Sequence, residues 1–187
     1  MFDHFGFLAP FYEKLIQPKD PTEIQDFGHL PTSGALLDAG GGTGRIAQTL
    51  RDQVGMIVVA DLSLKMLEQA HSKDGLQLAC SHSERLPFPE SSFDRVIMVD
   101  ALHHFLNQQQ TANELWRVLK PGGRLVIEEP DIREWSVKVI AVFEKLVLMR
   151  SHFLSPQQIV ALFPHRQAKV SIDTKGYNAW VSVEKCE

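Results

Sequence analysis

Glycines at three alternate positions follow a short apolar run and an acid near residue 40. From residue 36 to residue 45 the chain reads Leu-Leu-Asp-Ala-Gly-Gly-Gly-Thr-Gly-Arg. The leucines predict a buried strand, and the glycines allow positive φ angles and a close approach of a ligand to the backbone. The following apolar positions, Ile46, Ala47 and Leu50, predict a helix whose first N–H groups face that ligand. The segment therefore predicts a binding turn between a strand and a helix.

The spacing of the glycines bears on which ligand binds. A dinucleotide site has the pattern G-x-G-x-x-G after a strand. Counting from Gly40, the third glycine is replaced by Arg45; counting from Gly42, it is replaced by Ala47, which such sites sometimes accept. The dinucleotide interpretation is weakened by this spacing, but it stays open on the turn alone.

A second acid ends the next apolar run. Val58–Ala60 predicts a strand, and Asp61 follows it, seventeen residues beyond Gly44. An acid at the end of the second strand of a doubly wound sheet can accept hydrogen bonds from both hydroxyls of a ribose. Ser63 suits the N-cap of the next helix. The two acids together predict a nucleoside-containing ligand.

Further polar side chains follow the later strands. Asp100 ends the apolar run that begins at Arg95, and His103 and His104 come just after it. A histidine there could take a proton from a hydroxyl or an activated carbon, although packing of one ring or helix capping is an equally ordinary role. Adjacent strand residues point to opposite faces, so Glu128 and Glu129 do not favour a metal site with these histidines.

Several segments together resemble the class I S-adenosylmethionine-dependent methyltransferases. Asp38-x-Gly40-x-Gly42-x-Gly44 resembles their first motif, and the pattern D-x-S-x-x-M-L-x-x-A from Asp61 resembles their second. Glu84–Asp94 is similar to the loop before their fourth strand, and Lys120-Pro-Gly-Gly is a frequent turn before their fifth. The N-terminal Ala9-Pro-Phe-Tyr12 is similar to the small-molecule subgroup, methyltransferase type 11, which includes quinone-ring carbon methyltransferases.

The resemblance implies S-adenosyl-L-methionine as cofactor and a role for each matching residue. Gly40, Gly41 and Gly42 would make room for its methionine part, Asp38 would orient the turn and meet the amino group, and Asp61 would hold the ribose. Leu62 and Met66 would flank the adenine, with core packing an equal alternative for Met66. The expected cofactor set also includes Tyr12, His82, Ser83, Glu84 and Asp100; the expected catalytic candidates are Asp100, His103 and His104.

One position departs from the family pattern. The family commonly has Asp-Ala-Glu where this chain has His82-Ser83-Glu84. The family's aspartate accepts a hydrogen bond from the adenine amino group, which a neutral imidazole can do and a protonated one cannot. Either the backbone of Ser83 recognises the adenine, or cofactor affinity depends on pH near the titration range of histidine.

The resemblance and the element pattern predict an α/β fold. We expect one domain over residues 1–187, with a lid-like helical segment over residues 1–30 and a core over residues 31–187. The core should be a doubly wound, mostly parallel, seven-stranded Rossmann-like sheet ending in an antiparallel hairpin, Ala168–Asp173 and Tyr177–Val183. Val137–Met149 should be a helix with a broad buried face. Two segments, Phe2–Ile16 and Trp135–Leu154, should roof the acceptor.

Composition narrows the classes of function. The net charge is −4, from 19 Lys and Arg against 23 Asp and Glu, with no basic cluster, so we expect no nucleic-acid partner. No apolar run approaches ~18 residues and Met1–His4 is not a secretory signal, so no membrane segment and a cytoplasmic location are expected. Cys80 and Cys186 lack metal-site spacing, and no metal is predicted. The pattern says nothing of oligomeric state.

Three hypotheses follow. The leading one is methyl transfer to a small, apolar or aromatic acceptor. The second is a regulatory or accessory module that binds the cofactor but has lost transfer activity, which the departure at His82 motivates. The third is a nucleotide-dependent oxidoreductase, which Arg45 disfavours.

Overall fold

The computed structural model describes residues 21–146 and 151–187. Strands and helices alternate along most of the chain, as the sequence predicts. In chain order the elements are α1 (Thr22–Gly28), β1 (Thr32–Ala39), α2 (Arg45–Leu50), β2 (Val54–Asp61), α3 (Leu64–His71), β3 (Gln77–Cys80), β4 (Phe93–Val99), α4 (Gln108–Val118), β5 (Leu119–Pro130), α5 (Trp135–Leu146), α6 (Pro156–Ala161), β6 (Ala168–Lys175) and β7 (Asn178–Lys185). Short 3₁₀ turns lie at Arg51–Gln53 and Leu102–His104.

The strands form one seven-stranded sheet of order β3-β2-β1-β4-β5-β7-β6. The first five strands are parallel, whereas β7 runs antiparallel to both β5 and β6. This topology confirms the predicted doubly wound sheet with a C-terminal antiparallel hairpin. The edge strand β3, only four residues long, was not predicted from the pattern.

The sheet has its switch point at β1, which pairs with β2 on one side and β4 on the other. In open α/β sheets a ligand crevice lies outside the carboxyl ends of the strands at such a point. Asp38 pairs in register with Ile97, so the end of β1 and the end of β4 reach this edge together. The fold therefore brings the glycine turn and the residues after β4 to one place.

Apolar side chains on both faces of the central strands build the core. Leu37 and Val96 belong to one buried cluster, and Leu36 and Ile97 belong to the cluster on the other face. A parallel sheet covered on both sides requires such continuous apolar runs. This two-sided burial fixes the strand ends that carry the polar residues.

The helix α1 packs against the sheet. Ile24 is fully buried, and the ring of Phe27 stacks on that of Trp180 with centroids 5.0 Å apart. Residues 22–28, within the segment predicted as 1–30, thus contact the core. Residues 1–20, which include Tyr12 and the predicted Phe2–Ile16 segment, lie outside the described residues.

The helix α5 differs from its prediction. Val137 is buried, but Trp135 is 77% exposed, Val142 60% and Val139 48%. For the described side chains, the prediction of a broad buried face is therefore wrong. The predicted end of the helix, residues 147–149, lies outside the described residues.

No helix in the described parts of the chain combines the length and the apolar character that crossing a bilayer requires.

Candidate active site

The glycine turn is held by backbone hydrogen bonds to the end of β2. Gly40 N and Gly41 N donate to Ala60 O at 2.7 and 3.3 Å, and Gly40, Gly42 and Gly44 have φ angles of 70°, 56° and 70°. Such left-handed angles favour glycine. A Cβ added at Gly42 would meet no heavy atom within 4 Å. The turn is therefore rigid underneath and open above Gly42, as a ligand cradle requires.

Gly40 and Gly41 are needed for packing within the turn. A Cβ at Gly41 would lie 2.6 Å from the carboxyl carbon of Asp38. A Cβ at Gly40 would lie 2.9 Å from Ala101 Cβ and 3.3 Å from Phe105 Cζ. Gly40 thus lets the loop after β4 approach the turn, a contact that the motif alone does not reveal.

Asp38 is a buried acid beneath this turn. Its residue is 2% exposed, and among the described residues no donor reaches its Oδ2. Burial, and secondly the negative charge of Asp61, raise the pKa of Asp38 to about 7, against the opposing effects of an Ala47 N–H and of Arg45. An unsatisfied buried carboxyl oxygen beside an open cradle suits a ligand that brings a cationic donor.

Asp61 links the end of β2 to the glycine turn. Its Oδ2 accepts a hydrogen bond from Gly42 N at 2.9 Å, and its Oδ1 accepts one from Ser63 N at 2.8 Å. Each oxygen of a carboxylate can accept two hydrogen bonds, so this bonding is compatible with contacts to ribose hydroxyls. Ser63 occupies the N-cap of α3, but its side chain makes no cap hydrogen bond.

The residues predicted to surround the adenine are spread along the neighbouring surface. Leu62 is 53% exposed and available to a flat ring, whereas Met66 is 3% exposed and packs in the core. Ser83 is buried, and the exposed His82 ring has its Nδ1 4.0 Å from Glu84 Oε2. These groups follow β2 and β3, on one side of the glycine turn.

Asp100 reaches the glycine turn from the other side. Its φ of 51° is unusual for a residue with a side chain, and its N–H donates to Glu128 O at 3.0 Å. One cavity brings these predicted residues together; it is lined by Asp38, Gly40, Gly41, Gly42, Thr43, Arg45, Ile46, Val99 and Asp100. Asp61, Leu62, Met66 and His82–Glu84 do not line this cavity, although Asp61 contacts it through Gly42 N.

The two histidines are held tightly after β4. His103 is buried and its Nδ1 lies 2.6 Å from Glu129 Oε2, while its ring stacks on Phe153 at 4.3 Å. The His104 ring is tilted against His103 at 3.9 Å, and its Nδ1 lies 3.3 Å from Ser151 Oγ. Burial, and secondly the neighbouring His103, lower the pKa of His104 to about 3, so its ring is neutral at ordinary pH.

A second cavity lies beside the histidines. We name it the Phe153 cavity; its volume is about 330 Å³, and it is lined by Ile132, Lys138, Ala141, Val142, Ser151 and Phe153. Most of these side chains are apolar, with an ammonium and a hydroxyl among them. Phe153 contacts His103 and Ser151 contacts His104, so this cavity borders the segment that follows β4.

Sequence reasoning missed the arrangement around Glu129. Its Oε1 accepts hydrogen bonds from Ala101 N and Leu102 N at 2.9 and 2.6 Å, in addition to the His103 contact of Oε2. Glu128 turns instead toward β7, where it accepts a hydrogen bond from Asn178. The opposite directions of adjacent strand residues agree with the alternation expected of a strand. Among the described residues no cluster of His, Cys, Asp and Glu is placed to hold a metal ion.

Geometry and sequence lead to the same class, a methyltransferase-type open α/β fold with a nucleoside cradle. The model of a methyltransferase domain family matches residues 37–127. A ubiquinone/menaquinone biosynthesis C-methyltransferase of Methylococcus capsulatus is 32% identical over 114 residues, covering 56% of this chain and 46% of that protein. The corresponding enzyme of Laribacter hongkongensis is 33% identical over 129 residues, covering 60% and 53%. The chain thus matches about half the length of these relatives.

Solved structures agree on the fold. An S-adenosylmethionine-dependent methyltransferase of Thermotoga maritima superposes with a TM-score of 0.80 at 21% identity, covering 97% of each chain. A Haloferax volcanii protein solved with the Trm112 methyltransferase activator gives 0.82 at 18% identity, covering 99% of this chain and 97% of its own. Residues 37–127 thus match a methyltransferase domain, and the fold is that of solved S-adenosylmethionine-dependent methyltransferases.

Proposed function

We propose that this protein transfers a methyl group from S-adenosylmethionine to a small apolar or aromatic acceptor. The observation that carries the proposal is the cradle at the end of β1. There an unsatisfied buried oxygen of Asp38 and the open position above Gly42 lie next to Asp61. A cationic amino group and a ribose would satisfy both acids at once.

The chain's own residues would hold the cofactor along the strand ends. Gly40, Gly41 and Gly42 would admit its methionine part, with the amino group toward Asp38. Asp61 would accept hydrogen bonds from the ribose hydroxyls while it keeps the turn in place through Gly42 N. The bound cofactor supplies a methyl group already activated by its sulfonium. Positioning of the reactants then contributes most to the rate, roughly 7–11 kcal/mol for well-oriented groups.

Adenine recognition would fall to the surface after β2 and β3. Leu62, with its exposed side chain, would cover one face of the ring. Met66 would support that surface from the core rather than contact the ring. His82 and Glu84 remain proposed contacts at the edge of the ring, with the backbone of Ser83 as the alternative donor and acceptor. Tyr12, proposed to cover the cofactor, lies outside the described residues.

The acceptor would enter from the side of the Phe153 cavity. Its mostly apolar lining suits a ring, and its Phe153 contacts His103, three residues beyond the Asp100 that lines the cradle. Asp100 is the proposed group closest to the reacting atoms. Because the pKa of His104 is near 3, that ring is a poor proton acceptor at neutral pH, which leaves His103 as the better candidate base. The names of the relatives, quinone C-methyltransferases, support a ring acceptor.

A transfer assay tests the proposal. The protein is incubated with S-adenosylmethionine and either reduced 1,4-naphthoquinone or catechol, and S-adenosylhomocysteine and methylated product are measured. We expect acceptor-dependent formation of both in equal amounts. Tight cofactor binding without any transfer to either ring would contradict the proposal and favour a regulatory module. A cytoplasmic location and a lack of nucleic-acid partners stay predictions from the sequence.

A further inference from the structure

Glu129 is a buried carboxylate whose two oxygens serve different partners after β4. We propose that Glu129 is a positioning residue that fixes His103 in its Nδ1–H tautomer and thereby holds the Phe153 wall of the acceptor cavity. The proposal rests on the proposed function, because that function assigns the Phe153 cavity to the acceptor.

The contacts of Glu129 are short, and its two oxygens have different partners. Oε1 accepts hydrogen bonds from the N–H groups of Ala101 and Leu102, and Oε2 lies 2.6 Å from His103 Nδ1. The residue is 3% exposed, so water does not compete for these bonds. Hydrogen bonds to an ionised group in such surroundings are roughly twice as strong as neutral ones. One side chain therefore fixes both the backbone after Asp100 and the ring of His103.

The chemistry of the pair determines the tautomer. An ionised carboxylate can only accept hydrogen bonds, so the proton between Oε2 and His103 belongs to Nδ1. In the neutral ring Nε2 is then the acceptor nitrogen. A hydrogen bond to one ring nitrogen commonly sets the state of the other in this way. His103 is thus prepared as a hydrogen-bond acceptor at Nε2 and not at Nδ1.

The position of His103 affects the cavity wall through its contacts with His152 and Phe153. Its ring stacks on Phe153 with an interplanar angle of 13°, and its carbonyl oxygen accepts a hydrogen bond from His152 N at 2.7 Å. Gln108 Nε2 joins the same two segments by donating to Leu102 O at 3.0 Å and to His152 O at 2.7 Å. Because Phe153 lines the cavity, a rotated His103 ring would displace the surface against which the acceptor ring packs.

Glu129→Gln separates these roles. The amide oxygen can still accept from Ala101 and Leu102, but its NH₂ group would face Nδ1 and require the Nε2–H tautomer. Glu184→Gln is the matched control, because Glu184 lies on β7 and pairs with Arg124, away from both cavities. Three quantities are measured for each protein: the His103 tautomer by ¹⁵N NMR of the imidazole ring, S-adenosylhomocysteine affinity by calorimetry, and affinity for 1-naphthol with S-adenosylhomocysteine bound.

We expect the Nδ1–H tautomer in the wild type and in Glu184→Gln, and the Nε2–H tautomer in Glu129→Gln. Affinity for 1-naphthol should fall roughly tenfold in Glu129→Gln and stay unchanged in Glu184→Gln, because only the first change displaces the Phe153 wall. S-adenosylhomocysteine affinity should be nearly unchanged in both. His103→Asn, which keeps a donor toward Glu129 but removes the stacked ring, should weaken 1-naphthol binding as well.

An Nε2–H tautomer in the wild type would overturn the proposal, and so would wild-type affinity of Glu129→Gln for 1-naphthol. None of the three measurements requires turnover. The absence of methyl transfer would therefore refute the proposed function without deciding the role of Glu129.

Discussion

Asp38 keeps its proton to a much higher pH than a carboxyl group does in water. Burial and the nearby charge of Asp61 raise its pKa from 3.8 to about 7. The fold therefore favours its neutral form. This contribution to stability is fully present below the unfolded pKa and is lost as pH rises through the folded pKa of about 7. A cationic ligand group would relieve the same cost by pairing with the ionised form.

Asp38→Asn should remove this pH dependence. In the wild type, titration of Asp38 should lower the free energy of unfolding by roughly 2–3 kcal/mol between about pH 5 and pH 8. The asparagine variant has no such titration. The difference in the free energy of unfolding between the two proteins should therefore change with pH. Urea unfolding at both pH values measures it. Parallel profiles for the two proteins would mean that Asp38 is already ionised in the fold.

Valine variants of Gly42 and Gly122 distinguish a blocked cofactor cradle from general backbone strain. Both have positive φ and open space around an added Cβ, but only Gly42 lines the cavity proposed for the cofactor. Gly42→Val and Gly122→Val should therefore lose similar stability, roughly 1–2 kcal/mol for a left-handed residue. Only Gly42→Val should lose cofactor binding in a calorimetric titration. Equal cofactor affinity in both variants would make the glycine turn purely structural.

The sequence Ser155-Pro-Gln-Gln predicts the start of helix α6, because a capping serine precedes a proline and a glutamine follows three residues later. Ser155 Oγ accepts from Gln158 N, and the Gln158 side chain accepts from Ser155 N, as the sequence Ser-Pro-Gln-Gln indicates. The helix carries the buried Ile159 into the core. The start of α6 is thus predictable from the local sequence.

Ser155→Ala should cost about 1 kcal/mol in the free energy of unfolding, the usual size of a lost N-cap. Chemical denaturation measures the loss, and Ser155→Thr, which keeps a hydroxyl, serves as control. Wild-type stability of the alanine variant would show that tertiary packing alone holds α6.

Other elements could not be predicted because their contacts are distant in sequence. The strand β3 is short and pairs only with β2 at the sheet edge, so its pattern is weak. The Glu129 contacts join β5 to residues 26–28 positions earlier, a pairing that adjacent glutamates do not indicate. The exposed apolar side chains of α5 follow helical spacing, which predicts a helix but not what covers it.

The sheet as a whole accounts for the location of the site. The pattern of apolar runs ending in Asp38, Asp61 and Asp100 predicted three strand ends, and the strand order then brings them to one edge. The acids of the proposed cofactor cradle could therefore be predicted from the sequence alone. The proposed acceptor side depends on α5 and on residues 151–153, where the sequence pattern is generic.

Deletion of residues 1–16 tests the predicted roof over the acceptor. These residues lie outside the described part of the chain, whereas Trp135, Val139 and Val142 of α5 expose an apolar surface that could receive them. The truncated protein should keep its fold by circular dichroism and lose methyl transfer. Turnover at the wild-type rate would mean that the roof is built elsewhere.

Binding of the cofactor tests the central claim most directly. The wild type and Asp61→Ala are titrated calorimetrically with S-adenosylmethionine, S-adenosylhomocysteine and NAD. We expect one site for each of the first two ligands and none for NAD. Asp61→Ala should weaken binding by about 1–3 kcal/mol, roughly 5- to 150-fold, the cost of a lost hydrogen bond to a charged group. Binding of NAD in place of S-adenosylmethionine, or full affinity of a folded Asp61→Ala protein, would contradict this account of the site.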